Sequence, residues 1–108
     1  MESIIQTDKD VCYICGRYGA KHEHHIFNGT ANRKKSEEDG MKVYVHPTCH
    51  EWIHKHELSD LNIKARCQKI WQEHYGKSKE DFIKRYGISY IDKFEEWRNR
   101  NENTNKRN

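Results

Sequence analysis

Apolar material is scarce in this chain, and the shortage excludes several broad classes. Only a third of the 108 residues are apolar and another third are charged. No stretch is long and apolar enough to span a membrane. Residues 1–10 also lack the apolar run of a secretory leader, so the expected setting is reducing and cytoplasmic, with the four cysteines as thiols rather than two disulfides. There is no internal repeat. The net charge of +3 permits a nucleic-acid partner without pointing to one. A single domain of this length with so little core material needs another source of stability. Four cysteines and eight histidines make bound metal the economical one.

The histidines and cysteines concentrate in residues 46–54, His-Pro-Thr-Cys-His-Glu-Trp-Ile-His. His46 and Cys49 have the spacing of half a zinc site, and Cys12-Tyr-Ile-Cys15 supplies the other half. Gly16 lets the backbone curl around the first pair. Cys12, Cys15, His46 and Cys49 therefore form a candidate structural zinc site, arranged like a treble clef: a knuckle, a hairpin, and a second ligand pair at the start of a helix. The competing reading is of reduced core cysteines. Cys67 lies on a helical apolar stripe without a partner at ligand spacing and is expected to be a core residue.

The expected fold is α+β. A strand is predicted over residues 20–27 and a second, antiparallel one over 41–45, where apolar and polar residues alternate. The turn-rich, charged stretch 28–40 between them reads as an exposed loop. Pro47 ends the second strand, and Thr48 with Glu51 fits a capping box opening a helix that carries His50 and His54 on one face. Three further helices are expected. One runs from Ser59 to Gly76 with Ile63, Cys67, Ile70 and Trp71 on its stripe, the next from Ser78 to Gly87, and the last starts at Ser89. The resulting division is a loose N-terminus over 1–10, a zinc-braced core over 11–57, a helical C-terminal extension over 58–98, and a disordered, apolar-free tail over 99–108.

His50 and His54, one turn apart, can share a second metal with His24 or His25, leaving one of that adjacent pair unligated. Three imidazoles leave coordination positions open, as catalytic metals require. A spare imidazole with an ordinary pKa of about 6.5 is a natural general base.

Glu23-His24-His25-Ile26, a loop, a second strand, then His46-Pro-Thr-Cys49-His50 and His54 resemble an HNH (His-Me finger, ββα-metal) nuclease. Together with Cys-x-x-Cys, Ala-Asn-Arg-Lys-Lys-Ser and a later Tyr-Gly-Ile-Ser-Tyr, they resemble small phage proteins related to recombination-enhancement nucleases. The resemblance covers residues 12–56 closely and 60–91 loosely. It implies a DNA endonuclease in which His25 activates water, while His24, His50 and His54 hold one catalytic divalent ion. Zinc, nickel or manganese suits three imidazoles better than magnesium. It also implies 5′-phosphate and 3′-hydroxyl products, a phage protein in a bacterial host, and an accessory recombination or packaging protein as a further partner. The family's middle asparagine would fall near Asp39, Gly40 or Met41, so Asn28 or Asn32 is left as the alternative brace.

Arg33, Lys34 and Lys35 are candidate phosphate contacts, against the alternative of a solvated charge run offset by Glu37, Glu38 and Asp39. His22, His56 and His74 are read as ordinary surface histidines. Two rival functions remain. One is a zinc module that binds nucleic acid or protein without cutting. The other is a zinc protease, because His50-Glu51-Trp52-Ile53-His54 matches H-E-x-x-H; it would leave the other metal-type residues unexplained.

Overall fold

A computed structural model describes residues 1–106, with side chains as far as Arg100. It is a small α+β structure: β1 (His22–His25), α1 (Thr30–Asp39), β2 (Lys42–Val45), α2 (Pro47–Lys55), α3 (Glu57–Tyr75), α4 (Lys79–Tyr86) and α5 (Tyr90–Lys106). The strands pair antiparallel, with His24 opposite Val43 and His25 opposite Lys42. Among the described residues no helix is long and apolar enough to cross a membrane.

The expected loop over 28–40 is instead largely α1. Its Ala, Arg, Lys and Glu residues are good helix formers, but only Ser36 is buried, so no apolar stripe announces the helix. The Ser36 hydroxyl accepts from Phe27 N–H at 3.0 Å and donates to Phe27 C=O at 2.9 Å, replacing backbone pairing where β1 ends. Gly40, at φ 71°, closes the helix in the left-handed region, and Met41 N–H reaches back to Ser36 C=O at 2.8 Å. A Cβ there would collide with the Glu2 carbonyl.

Residues 1–10, expected to be loose, make specific contacts with this part of the fold instead. Ser3 Oγ donates to Lys42 C=O at 2.5 Å, Ile4 N–H donates to Gly40 C=O at 3.0 Å, and Gln6 Oε1 accepts from Tyr44 N–H at 2.9 Å. Tyr13 N–H donates to Tyr44 C=O at 2.8 Å. The N-terminal segment thus covers the outer edge of β2, whose backbone groups would otherwise lack partners.

α2 begins at Pro47, with His46 as its N-cap and no capping side chain, so the Thr48–Glu51 box does not form. Proline at the first helical position needs no N–H partner, which starts the helix one residue earlier than Thr48. Glu51 instead pairs with Lys55 at 3.1 Å. α3 likewise starts at Glu57, before Ser59. The Ser78 prediction holds: it forms a capping box with Asp81.

The helical part belongs to the core. Cys12, Ile26, Phe27, Met41, Val43 and Val45 pack in one cluster with Cys67 and Trp71 of α3 and Phe82 and Tyr86 of α4. Phe27 lies 5.0 Å from Phe82 and stacks on Tyr90 at 5.5 Å. Cys67 is fully buried, and burial pushes its thiol up to about 12, as a core residue requires. Asp39 is the polar tie. Its Oδ2 accepts from Trp71 Nε1 at 2.8 Å, Arg85 Nε at 2.6 Å and Tyr86 Oη at 2.6 Å. α5 continues to Lys106, so residues 99–106 of the expected disordered tail are helical. Extending a helix already nucleated by its packed first turns requires only one residue to be fixed per new hydrogen bond. Residues 107–108 lie outside the described residues.

Candidate metal centres

The loop around Cys12 makes the first centre. Cys12 N–H donates to Arg17 C=O at 2.8 Å and Gly16 N–H to Cys12 C=O at 2.9 Å, which turns Cys15 back toward Cys12. β2 then carries His46 to the same point, and the first turn of α2 presents Cys49. The ligand atoms of Cys12, Cys15, His46 and Cys49 lie within 4.8 Å of one another, close enough to hold a metal, and the set of three sulfurs and one nitrogen is consistent with structural zinc. All four cysteines of the chain are free thiols.

The tautomer of His46 also fits. Its Nε2 lies 2.8 Å from Tyr18 C=O and so carries the proton, leaving the Nδ1 lone pair 3.2 Å from Cys15 Sγ. Gly19 is required beside it, because a Cβ at φ 101° would approach the ring at 3.3 Å. Burial tends to raise the Cys12 thiol, but backbone amides of Cys15, His46 and Ile14 outweigh it and lower the pKa to about 6. Cys49 moves the other way, to about 11, through burial and its sulfur neighbours.

The second centre lies between β1 and the following turn of α2. His24, buried at 5% exposure, comes within 4.8 Å of His50 and His54 through its ligand nitrogen. The ring centroids are 4.9 Å and 5.6 Å from His24 to the two helix residues. His24 Nε2 is buried without a hydrogen-bond partner. An unpaired buried nitrogen is costly, and a cation facing the three rings would satisfy it. Burial first, then His50 and His54, drive the His24 pKa down to about 4, and burial and His54 lower that of His50. Both are therefore neutral bases at pH 7, the form that ligates.

Strand alternation places His25 on the other face of β1, and the strand ends there, so both imidazoles line one cavity of about 240 Å³ with Glu23, Asn28, Arg33, His50 and His54. His25 Nε2 sits 3.2 Å from Glu37 Oε1 and 3.7 Å from Glu23 Oε1. Glu23, His25 and Glu37 form a third close group, but the Lys42 ammonium stands 2.8 Å from Glu37 and 3.3 Å from Glu23, already supplying the positive charge. Hydrogen bonding from Lys42, and then from His25, holds the Glu37 carboxyl down at about 2.

No family model, curated protein or solved structure matches this chain significantly.

The basic cluster divides. Arg33 is exposed and lines the cavity, and Lys34 is exposed. Lys35 instead donates to Arg85 C=O at 2.7 Å, tying α1 to α4. Of the two candidate braces, Asn28 lines the cavity and accepts from Lys64 at 3.3 Å, whereas Asn32 donates to Tyr86 C=O at 3.0 Å, away from it. Glu51 is two-thirds exposed and committed to Lys55, so H-E-x-x-H lacks a base aimed at its histidines. Glu37 carries no sequence signal, because no apolar period marks the helix α1 that places it beside His25. His22, expected to be an ordinary surface histidine, stands on the same strand face as His24 by two-residue alternation.

Proposed function

We propose that this protein is a metal-dependent DNA endonuclease with the HNH arrangement that its motifs resemble. The observation that carries the reading is the convergence of His24, His50 and His54 in one cavity beside His25, an imidazole outside that ligand group. His24, His50 and His54 would hold a divalent ion, which would supply Lewis-acid polarisation and charge stabilisation for the leaving 3′ oxygen.

The chain's own residues account for the rest. His25 takes a proton from water as the water oxygen bonds to phosphorus and the bond to the 3′ oxygen breaks; the departing 3′ alkoxide takes a proton from solvent, giving 5′-phosphate and 3′-hydroxyl ends. Glu37 accepts a hydrogen bond from one ring nitrogen of His25 and leaves the other free to act as base. Arg33, which makes no ion pair among the described residues, is available to a backbone phosphate at the cavity mouth. Cys12, Cys15, His46 and Cys49 would hold zinc as scaffold. A phage origin, a bacterial cytoplasmic setting and an accessory recombination or packaging partner belong to the resemblance.

The test incubates the protein with supercoiled plasmid and magnesium, manganese, nickel or zinc, beside His25→Ala and Cys12→Ser. His25→Ala is expected to stay folded and zinc-loaded but lose nicking by at least about 100-fold, whereas Cys12→Ser loses folding. If the parent never nicks plasmid under any of these ions yet retards DNA in a gel, the endonuclease reading gives way to a non-catalytic zinc module.

A further inference from the structure

His22 is unaccounted for by the three-histidine group, yet its Nδ1 lies 3.2 Å from Nδ1 of His50, with the rings edge to face at 82°. Because His22 lies outside the group whose ligand atoms cluster within 4.8 Å, this contact is a hydrogen bond rather than two ligands of one ion, and two imidazole nitrogens so bonded share one proton. Two lone pairs would repel, and two N–H groups would collide. One ring therefore donates and the other accepts.

His50 can ligate only through a nitrogen that carries a lone pair and is not already engaged. Its Nδ1 is engaged by His22, which leaves Nε2. For Nε2 to be unprotonated, Nδ1 must carry the proton and donate it, so His22 Nδ1 is the acceptor. Metal-binding histidines ordinarily donate their second N–H to a carboxylate, carbonyl or water, which fixes tautomer and ring angle. His46 does this with Tyr18 C=O in the first centre.

We infer that His22 does the same for His50 in the second centre, as a positioning residue that holds the ligand tautomer rather than as a ligand. Its own ring nitrogens are not among those that cluster within 4.8 Å. The pleat supplies the means: His22 and His24 stand two apart on one face of β1, and His50 and His54 one turn apart on α2, so the strand offers one ligand and one orienting base to the helix. The inference rests on the metal-holding part of the proposed function and not on cutting.

The experiment uses full-length protein carrying one zinc equivalent at the Cys12, Cys15, His46 and Cys49 site. Cobalt(II) is then titrated by calorimetry and visible absorption, with circular dichroism confirming that each variant is folded. His22→Ala should weaken cobalt binding by about 10- to 100-fold while stoichiometry and the shape and intensity of the d–d bands stay as in the parent. His22→Asn, which keeps an acceptor, should recover most of the loss. Parent-like affinity in His22→Ala would overturn the inference. So would altered d–d bands, which would make His22 a ligand. A parent that takes up no second ion would remove the metal centre itself, and the inference with it. A parent that binds cobalt but never nicks plasmid would remove only the nuclease reading.

Discussion

Replacing Asp39 with alanine should unfold this protein more readily than any other single change at a surface-accessible carboxylate. Oδ2 of Asp39 receives Trp71 Nε1–H, Tyr86 Oη–H and Arg85 Nε–H, and its own backbone C=O receives Tyr75 Oη–H at 2.6 Å. Alanine leaves the backbone bond but removes the acceptor for the other three. Trp71 and Tyr86 are 4% and 3% exposed, so water cannot readily replace the carboxylate. Two stranded buried donors at about 1–3 kcal/mol each put the loss at about 2–6 kcal/mol, and we expect about 4. Arg85, with its side chain a third exposed, adds little after solvent screening. Asp39→Asn retains an oxygen acceptor but not its charge and should cost about 1–2 kcal/mol, since charge-assisted bonds are roughly twice as strong as neutral ones. Urea denaturation followed by tryptophan fluorescence at fixed free zinc measures both variants, the fixed zinc preventing metal linkage from shifting the comparison. An Asp39→Ala loss below about 1 kcal/mol would refute the reasoning, because the donors would then have found other partners.

Three further substitutions have defined outcomes. Glu37→Gln should lower the nicking rate by about 10-fold or more with little change in KM, because the acceptor that orients His25 loses its charge. Glu37 sits below its unfolded pKa, so the stability it contributes is present above about 4.5 and is lost as pH falls toward 2; Glu37→Gln should flatten that part of the stability profile in acid titrations monitored by circular dichroism. Arg33→Ala should weaken DNA retention and reduce the salt slope of binding by about one, measured by fluorescence anisotropy over a salt series. Lys35→Ala should leave that slope unchanged and lower only thermal stability, since its ammonium is spent on Arg85 C=O.

That these side chains come together in two clusters was legible in the sequence, because metal-type ligands recur at short, fixed spacings: Cys12 with Cys15, His46 with Cys49, His50 with His54. β2 was legible through alternation, α4 through Ser78 and Gly87, and the burial of Cys67 through its place on an apolar stripe. α1 was not legible. Its stability comes from helix-favouring charged residues, one buried hydroxyl at Ser36 and the Asp39 tie, and none of these leaves an apolar period. The misreading of α1 hid Glu37 and made Lys35 look like a partner of Arg33, when the helix turns them to different neighbours. The ordering of residues 1–10 was equally hidden, because Ser3 and Gln6 act by completing a strand edge that exists only after β2 has formed.

α2 carries residues of both ligand groups within nine positions, Cys49 in one and His50 and His54 in the other. An α-helix advances about 100° per residue. Inserting a single residue between Cys49 and His50 would therefore swing one group away from its partners by more than a quarter of a circle, and no adjustment of flanking loops could restore it. Length changes in this helix are forbidden, while the outward positions of Glu51 and Lys55 are free to drift.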